Sequence, residues 1–143
     1  MSLSTTTHLN FRGQAADALA FYAAALGGQV VAFTFAQGGD EADRADGAVA
    51  EQLKWGGVAT PDGFAVMAFD VPPGRAYDPG TDSVYVSVRG TDADEVTAVW
   101  LALSEGATVR ADLAPAGYAP LYGMLTDRFG VTWVLDVAPP AQG

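Results

Sequence analysis

The chain of 143 residues has no cysteine, a single histidine and few basic residues, and each shortage removes a class of function. Without cysteine it forms no disulfides or thiolate metal sites, which fits a reducing compartment, and we predict a cytoplasmic protein. Seven Lys and Arg against 17 Asp and Glu give a formal net charge of −10, which repels phosphate backbones and disfavours nucleic acid as a partner. No apolar run approaches the roughly 18 residues of a membrane span, so no membrane partner is expected.

Sequence patterns for several catalytic mechanisms are also missing. The chain has no phosphate-binding Gly-x-x-x-x-Gly-Lys loop, no dinucleotide fingerprint and no Gly-x-Ser-x-Gly nucleophile turn. With one histidine, a nucleophile–base–orienter triad would need His8 to meet a serine and an aspartate in the fold. Motifs of these kinds therefore give no evidence for a catalytic function.

A degraded internal repeat is the most informative pattern that is present. The segment RGQAADALAFYAAALGG, which begins at Arg12, recurs as RGTDADEVTAVWLALSEG from Arg89, about half the chain length later. Two copies are too few for a solenoid, but they suit a pseudo-symmetric single domain over residues 1–143. We place its modules at about residues 5–71 and 82–138, joined by a Pro- and Gly-rich linker at 72–80.

The first module is predicted to be strand, helix and three strands. Residues 5–11 alternate, with Leu9 and Phe11 on one face and His8 and Asn10 on the other. Apolar residues at helical spacing follow, and Gly27 and Gly28 end that helix. The buried stripe of this helix is predicted to consist of Leu19, Tyr22 and Leu26. Three further strands are predicted at residues 30–35, 48–55 and 64–71. Between them we expect an acidic mobile loop at residues 37–47 and turns at 56–57 and 61–63.

The second module repeats this order, which predicts an α+β fold. Residues 83–89 alternate, with Val84, Val86 and Val88 on one face and Ser83, Tyr85 and Ser87 on the other. The next helix has a buried stripe of Val96, Val99, Trp100 and Leu103. Strands follow at residues 107–113, 121–126 and 131–137.

These motifs resemble those of the vicinal oxygen chelate superfamily, which includes glyoxalase I, bleomycin-resistance proteins and extradiol dioxygenases. The resemblance lies in the paired βαβββ order, the opening HLNFxG with ALAFY and LGG, and the closing DRFGVTW from Asp127. The closing motif is most similar to the PhnB-like branch. The resemblance implies two modules that form a curled mixed sheet, with helices outside and a ligand cleft inside.

Six polar or aromatic side chains are the predicted ligand-binding residues. Strand alternation directs His8 and Asn10 away from the helix layer, and the repeat adds Tyr85 and Ser87. Tyr118 and Tyr122, flanked by glycine and proline, are placed at the mouth of the cleft. The alternative is a sheet face that is merely open to water.

The resemblance also implies a divalent metal, held by His, Gln or Glu at four strand positions and acting as a Lewis acid. These positions fall on His8, on Ala50 or Glu51, on Tyr85 and on Val134. His8 matches and Glu51 is possible, whereas Tyr85 is a poor ligand and Val134 has no donor atom. We expect no tight metal site and no other cofactor, with a sparse divalent site as the alternative.

Two functions therefore stay open. The first is a small-molecule-binding protein of unknown ligand, a homodimer in which Trp55, Tyr118 and Tyr122 are candidate interface aromatics. The second is an enzyme, lyase- or isomerase-type or another kind, that uses the sparse metal site or acid–base chemistry by His8 and Glu51. If Glu51 lay inward on a strand it would be a buried carboxylate, which is often functional. A third possibility is a protein whose only function is its dimer surface.

Overall fold

The structure, a computed structural model, describes residues 3–139, and the chain divides between Pro79 and Gly80 into two compact units. The first unit contains β1 (Thr7–Phe11), α1 (Ala15–Leu26), β2 (Gln29–Thr34), α2 (Phe35–Gly38), α3 (Glu41–Ala45), β3 (Leu53–Thr60) and β4 (Gly63–Asp70). The second unit contains β5 (Val86–Gly90), α4 (Ala93–Leu103), β6 (Thr108–Ala116), β7 (Ala119–Thr126) and β8 (Thr132–Val137). Within residues 3–139, no helix is long and apolar enough to cross a membrane.

Each unit has a four-stranded mixed sheet with the same topology. The strand order is β1-β4-β3-β2 in the first sheet and β5-β8-β7-β6 in the second. In both, the first strand pairs in parallel with the last, and the other neighbours are antiparallel. The predicted α+β fold of two repeated modules is therefore confirmed.

Helix α1 packs its apolar side chains on the first sheet. Leu19 and Tyr22 are fully buried, whereas Leu26 is half-buried, and the helix ends at Gly27 in a left-handed conformation with φ 76°. Gly56 lies in the middle of β3, where a Cβ atom would come within 2.5 Å of Leu19 Cδ1. The predicted turn at residues 56–57 is wrong, because glycine serves here to let the helix approach the strand.

Helix α4 covers the second sheet in the same way. Val96, Trp100 and Leu103 are buried, and Val99 is half-buried. The Trp100 ring lies over Gly123 of β7, where a Cβ atom would be 2.8 Å from the ring atom Cζ3. The helical stripe predicted from the 3.6-residue period is present, with only Val99 less buried than expected.

The acidic segment predicted as a mobile loop at residues 37–47 instead contains the second half of α2 and all of α3. Both short helices begin with capping boxes, formed by Thr34 with Gln37 and by Asp40 with Asp43. The buried Asp43 carboxylate accepts hydrogen bonds from Lys54 Nζ at 2.7 Å and Arg75 Nη2 at 3.1 Å. Because capping and ion pairing satisfy its polar groups, this segment is ordered despite its composition.

Two strand boundaries also differ from the prediction. Residues 48–52 form no strand, and β3 begins at Leu53, whose backbone N–H donates to Asp70 Oδ2 at 2.9 Å. Strand β5 begins only at Val86, the first residue that pairs with β8, and Val84 is 72% exposed. Alternation does not show where a partner strand ends, so it could not predict either boundary.

Candidate functional site

The face of the first sheet opposite α1, here called the first open face, carries His8, Asn10 and a group of large apolar side chains. His8 pairs with Met67 and Asn10 with Phe69 across β1 and β4. Paired residues point to the same side of a sheet, so these four side chains share one face. Phe11, one position after Asn10, is buried on the other side.

His8 and Asn10 are both exposed, as the alternation of β1 predicted. The Nδ1 atom of His8 lies 3.2 Å from Asn10 Oδ1. The imidazole ring also lies against Phe69, with the ring centroids 5.5 Å apart. The pair therefore presents polar atoms beside an aromatic surface.

Three further aromatic rings form a cluster on the first open face. The centroid of the Trp55 ring is 5.3 Å from that of Phe64 and 5.8 Å from that of Phe33. Phe33 and Phe64 remain 39% and 38% exposed. A Cβ atom at Gly57 would come within 2.7 Å of the Phe64 ring, so glycine makes room for the cluster. Contiguous exposed apolar surface of this kind marks ligand or interaction sites.

The second sheet has a corresponding second open face, on the side away from α4. Ser87 pairs with Val134, and Asp136 pairs with both Arg89 and Tyr122, so these side chains share a face. Tyr118 is 59% exposed, and its ring contacts that of Tyr122 edge-on, with centroids 5.7 Å apart. The structure thus brings Ser87, Tyr118 and Tyr122 of the predicted set to one surface.

An ion pair on the second open face was missed by the sequence analysis. Arg89 donates from Nε to Asp136 Oδ1 at 3.1 Å and from Nη2 to Asp136 Oδ2 at 2.8 Å. Asp136 is only 4% exposed, and its hydrogen bonds raise the pKa of Arg89 above the usual value. Strand alternation predicts that Arg89 lies on the same face as Tyr85 and Ser87, but it does not predict that Asp136 is its partner.

Tyr85 lies just before β5 rather than within a strand. Its ring, 38% exposed, is overlain by the Arg110 guanidinium at 5.8 Å. Arg110 also donates to both carboxylate oxygens of Asp82, at 2.7 and 3.0 Å, and this hydrogen bonding lowers the pKa of Asp82. Tyr85 is therefore held by a cation rather than placed as a metal ligand.

The structure does not bring Glu51 to His8. Glu51 is exposed in the turn before β3, and β4 separates β3 from β1. The backbone N–H of Leu53 donates to Asp70, and Asp70 pairs with Phe11 at the end of β1 that is farther from His8. Glu51, two residues before Leu53, therefore lies beyond that end of the strand. The possibility of an inward, buried carboxylate at Glu51 is not realised, because residues 48–52 of the predicted strand 48–55 form no strand.

The residues present do not fit the metal site that the resemblance implies. Of the four positions, Val134 has no donor, Tyr85 contacts Arg110 and Glu51 lies in a turn away from His8. Within residues 3–139, no group of three His, Cys, Asp or Glu side chains is arranged to hold a metal ion.

Comparison with known proteins identifies the family. The model of the Glyoxalase/Bleomycin resistance protein/Dioxygenase superfamily matches residues 7–135, and the chain belongs to this superfamily. No curated protein matches the sequence.

Three solved structures illustrate the similarity. A Pseudomonas aeruginosa protein is 29% identical, with a TM-score of 0.82 over 96% of this chain and 98% of that one. A Bacillus cereus protein described as a putative 3-demethylubiquinone-9 3-methyltransferase, PhnB protein, is 20% identical, with a TM-score of 0.72 over 95% and 100%. A glyoxalase/bleomycin resistance protein/dioxygenase family enzyme from Burkholderia phytofirmans is 12% identical, with a TM-score of 0.63 over 95% and 100%. The last two show the fold alone.

Proposed function

We propose that this superfamily member is a small-molecule-binding protein whose binding does not depend on a complete metal site. The observation that carries the proposal is the first open face, where His8 and Asn10 lie beside Phe69 and the exposed cluster of Phe33, Trp55 and Phe64. Small-molecule sites are mostly apolar with a few placed polar groups, and this face has that composition. The ligand class that suits it is a compound with at least one flat ring, which packs on aromatic side chains.

Binding of a neutral, ring-containing dye such as Nile red tests the proposal. We expect saturable binding that weakens in Phe33→Ala and Phe64→Ala variants, because each substitution removes exposed ring surface. The matched control is Leu101→Ala, which removes a side chain that is 66% exposed on α4, outside both open faces. Equal binding by all four proteins would reject the first open face as the site.

The enzyme alternative based on His8 and Glu51 receives no support from the positions of the two residues.

Membership of the PhnB-like branch is a finer proposal, supported by the closing motif from Asp127 to Trp133. The carboxylate of Asp127 accepts hydrogen bonds from the Phe129 and Val131 backbone N–H groups and from Trp133 Nε1, so the motif forms one connected turn. Location in the cytoplasm stays a prediction.

We also propose that the protein is a homodimer, with β2 as the pairing edge. Strand β2 is an edge of its sheet, and Val30, Val31 and Phe33 in it are 42%, 48% and 39% exposed. It contains no charge and no proline, whereas the equivalent edge β6 contains Arg110, Asp112 and Pro115. Charges and prolines block edge-to-edge pairing, so β6 is protected and β2 is open to another strand.

The sequence of β2 suits a second copy of the same chain. A twofold axis through Ala32 would pair two β2 strands antiparallel and set Val31 opposite Phe33 of the partner subunit. Both cross-strand pairs are apolar and lie on the first open face, and such pairs stabilise sheets. Because β2 is uncharged, two copies of an acidic protein would meet there without like charges opposed. The partner would then add apolar side chains beside Phe33 at the proposed ligand site.

A further inference from the structure

We propose that Arg89, positioned by Asp136, forms a second ligand site of this protein, which recognises an organic carboxylate with a ring attached. This inference goes beyond the proposed function, which concerns the first open face. It places the recognition on the second open face, among Ser87, Tyr118 and Tyr122.

Arg89 uses only one edge of its guanidinium to bind Asp136. The Nε and Nη2 atoms donate to the two carboxylate oxygens at 3.1 and 2.8 Å. A guanidinium has five N–H donors in a planar fork, so the edge formed by Nη1 and the second Nη2 hydrogen is left for another acceptor. The Arg89 side chain is 59% exposed, which makes it accessible to a ligand. A second carboxylate matches this edge in a bidentate manner.

Asp136 fixes the direction in which Arg89 points. Its side chain is only 5% exposed, and a buried carboxylate is costly unless it is paired and hydrogen-bonded. Releasing Arg89 would leave Asp136 unpaired, so the guanidinium is held in place before any ligand arrives. A preorganised donor loses less conformational entropy on binding than a free arginine side chain.

The surroundings of Arg89 supply a ring surface and neutral donors. Tyr122 pairs with Asp136 across the sheet, and Tyr118 packs edge-on against Tyr122. Partial burial, together with the nearby Tyr122 and Asp136, raises the pKa of Tyr118, so its hydroxyl stays a hydrogen-bond donor at neutral pH. Ser87 presents a hydroxyl on the same face. A carboxylate on Arg89 would therefore carry its ring toward the two tyrosines.

The first unit uses the equivalent arginine differently. Arg12, the counterpart of Arg89 in the internal repeat, donates to the backbone carbonyl of Arg75 and lies over the Tyr77 ring at 5.2 Å. It therefore joins two segments of its own unit. Of these two repeat-related arginines, Arg89 is the one that a buried carboxylate binds through both of its oxygens.

The test compares benzoate with its neutral analogue benzamide by calorimetric titration. We expect benzoate to bind about tenfold more tightly, because a charge-assisted pair contributes more than a neutral hydrogen bond. In the double variant Arg89→Met with Asp136→Asn, which leaves no unpaired buried charge, this preference should disappear. The control Arg128→Met removes the same charge from a turn, where Arg128 binds the Glu105 carbonyl, and should keep the preference.

A second measurement uses the unmodified protein, so a folding defect in the variant does not decide the result. In NMR titrations, the Arg89 Nε–H resonance should shift with benzoate and stay in place with benzamide. Equal affinities for the two probes, or a preference that survives in the double variant, would overturn the carboxylate assignment while leaving the small-molecule function standing. Failure of both probes and of the neutral dye to bind at millimolar concentration would reject the two proposals together.

Discussion

The carboxylate of Asp43 connects three separate segments of the first unit. It lies on α3, with a side chain that is 2% exposed, and it binds Lys54 of β3 and Arg75 of the segment after β4. Burial by itself raises the pKa of such a group. The hydrogen bonds from Lys54, the Asp40 backbone and Arg75 outweigh that effect and lower the pKa of Asp43 to about 2.

This lowered pKa predicts a specific dependence of stability on pH. Because Asp43 titrates at 3.8 when unfolded and near 2 when folded, its contribution is complete above about pH 4 and is lost as the pH falls toward 2. The variant Asp43→Asn should show a flatter decline in melting temperature over that interval. Asp62→Asn, in the exposed β3–β4 turn, is the control and should follow the native profile. Parallel profiles for all three proteins would contradict this assignment.

Gly56 gives a second prediction for a single residue. A Cβ atom there would lie 2.5 Å from Leu19 Cδ1 and 3.1 Å from the Ala32 Cβ, so Gly56→Ala overpacks the contact between α1 and β3. We expect a loss of about 1–3 kcal/mol in the free energy of unfolding, measured by urea denaturation. Gly117→Ala is the matched control, because a Cβ atom there would meet nothing within 4 Å. A Gly56→Ala protein as stable as the control would remove the steric explanation.

At the scale of elements, Trp100 is the largest of the three buried side chains by which α4 packs on its sheet. This side chain is 8% exposed and covers Gly123 of β7. Trp100→Ala should cost about 3–5 kcal/mol in the free energy of unfolding, as other large aromatic deletions in cores do. Leu101→Ala, one residue along but 66% exposed, should change it by less than about 0.5 kcal/mol. Similar midpoints for the two variants would show that α4 does not pack as described.

Sequence periodicity was sufficient to place both long helices and the faces of β1, because these depend on local side-chain spacing. It failed where a distant contact decided the structure. Gly56 reads as a turn residue until Leu19 is known to lie over it. The acidic residues around Asp43 read as a solvated loop until Lys54 and Arg75 are brought to them.

In the candidate site, too, features that depend on local side-chain spacing were predicted, whereas those that depend on distant contacts were not. His8 and Asn10 were assigned correctly to the open side of β1, because alternation alone determines the face of a strand. The start of the strand predicted at residues 48–55, which contains Glu51, was wrong, because nothing local indicates that β3 begins at Leu53. Asp136 was not recognised, because its role depends on the pairing of β8 with β5, far apart in the chain.

At the scale of the whole molecule, the proposed pairing through β2 predicts which substitution makes a monomer. Val31→Lys places a charge at the centre of the uncharged edge and should reduce the mass seen by light scattering to that of the 14.7 kDa chain. Val109→Lys makes the same change on β6 at a residue that is 44% exposed, against 48% for Val31, and should leave the dimer intact. A native protein that is already monomeric at micromolar concentration would exclude the homodimer.

The parallel pairing of β1 with β4 also has a consequence for synthesis on the ribosome. Strand β1 is the first to leave the exit tunnel, but it can form its pairing only after its partner β4, which ends at Asp70, has also been synthesised. Once Asp70 has emerged, every strand of the first sheet is present, and none of its pairings needs the second half of the chain. Strand β5 then waits in the same way for β8, so the nascent protein completes its sheets in two successive steps.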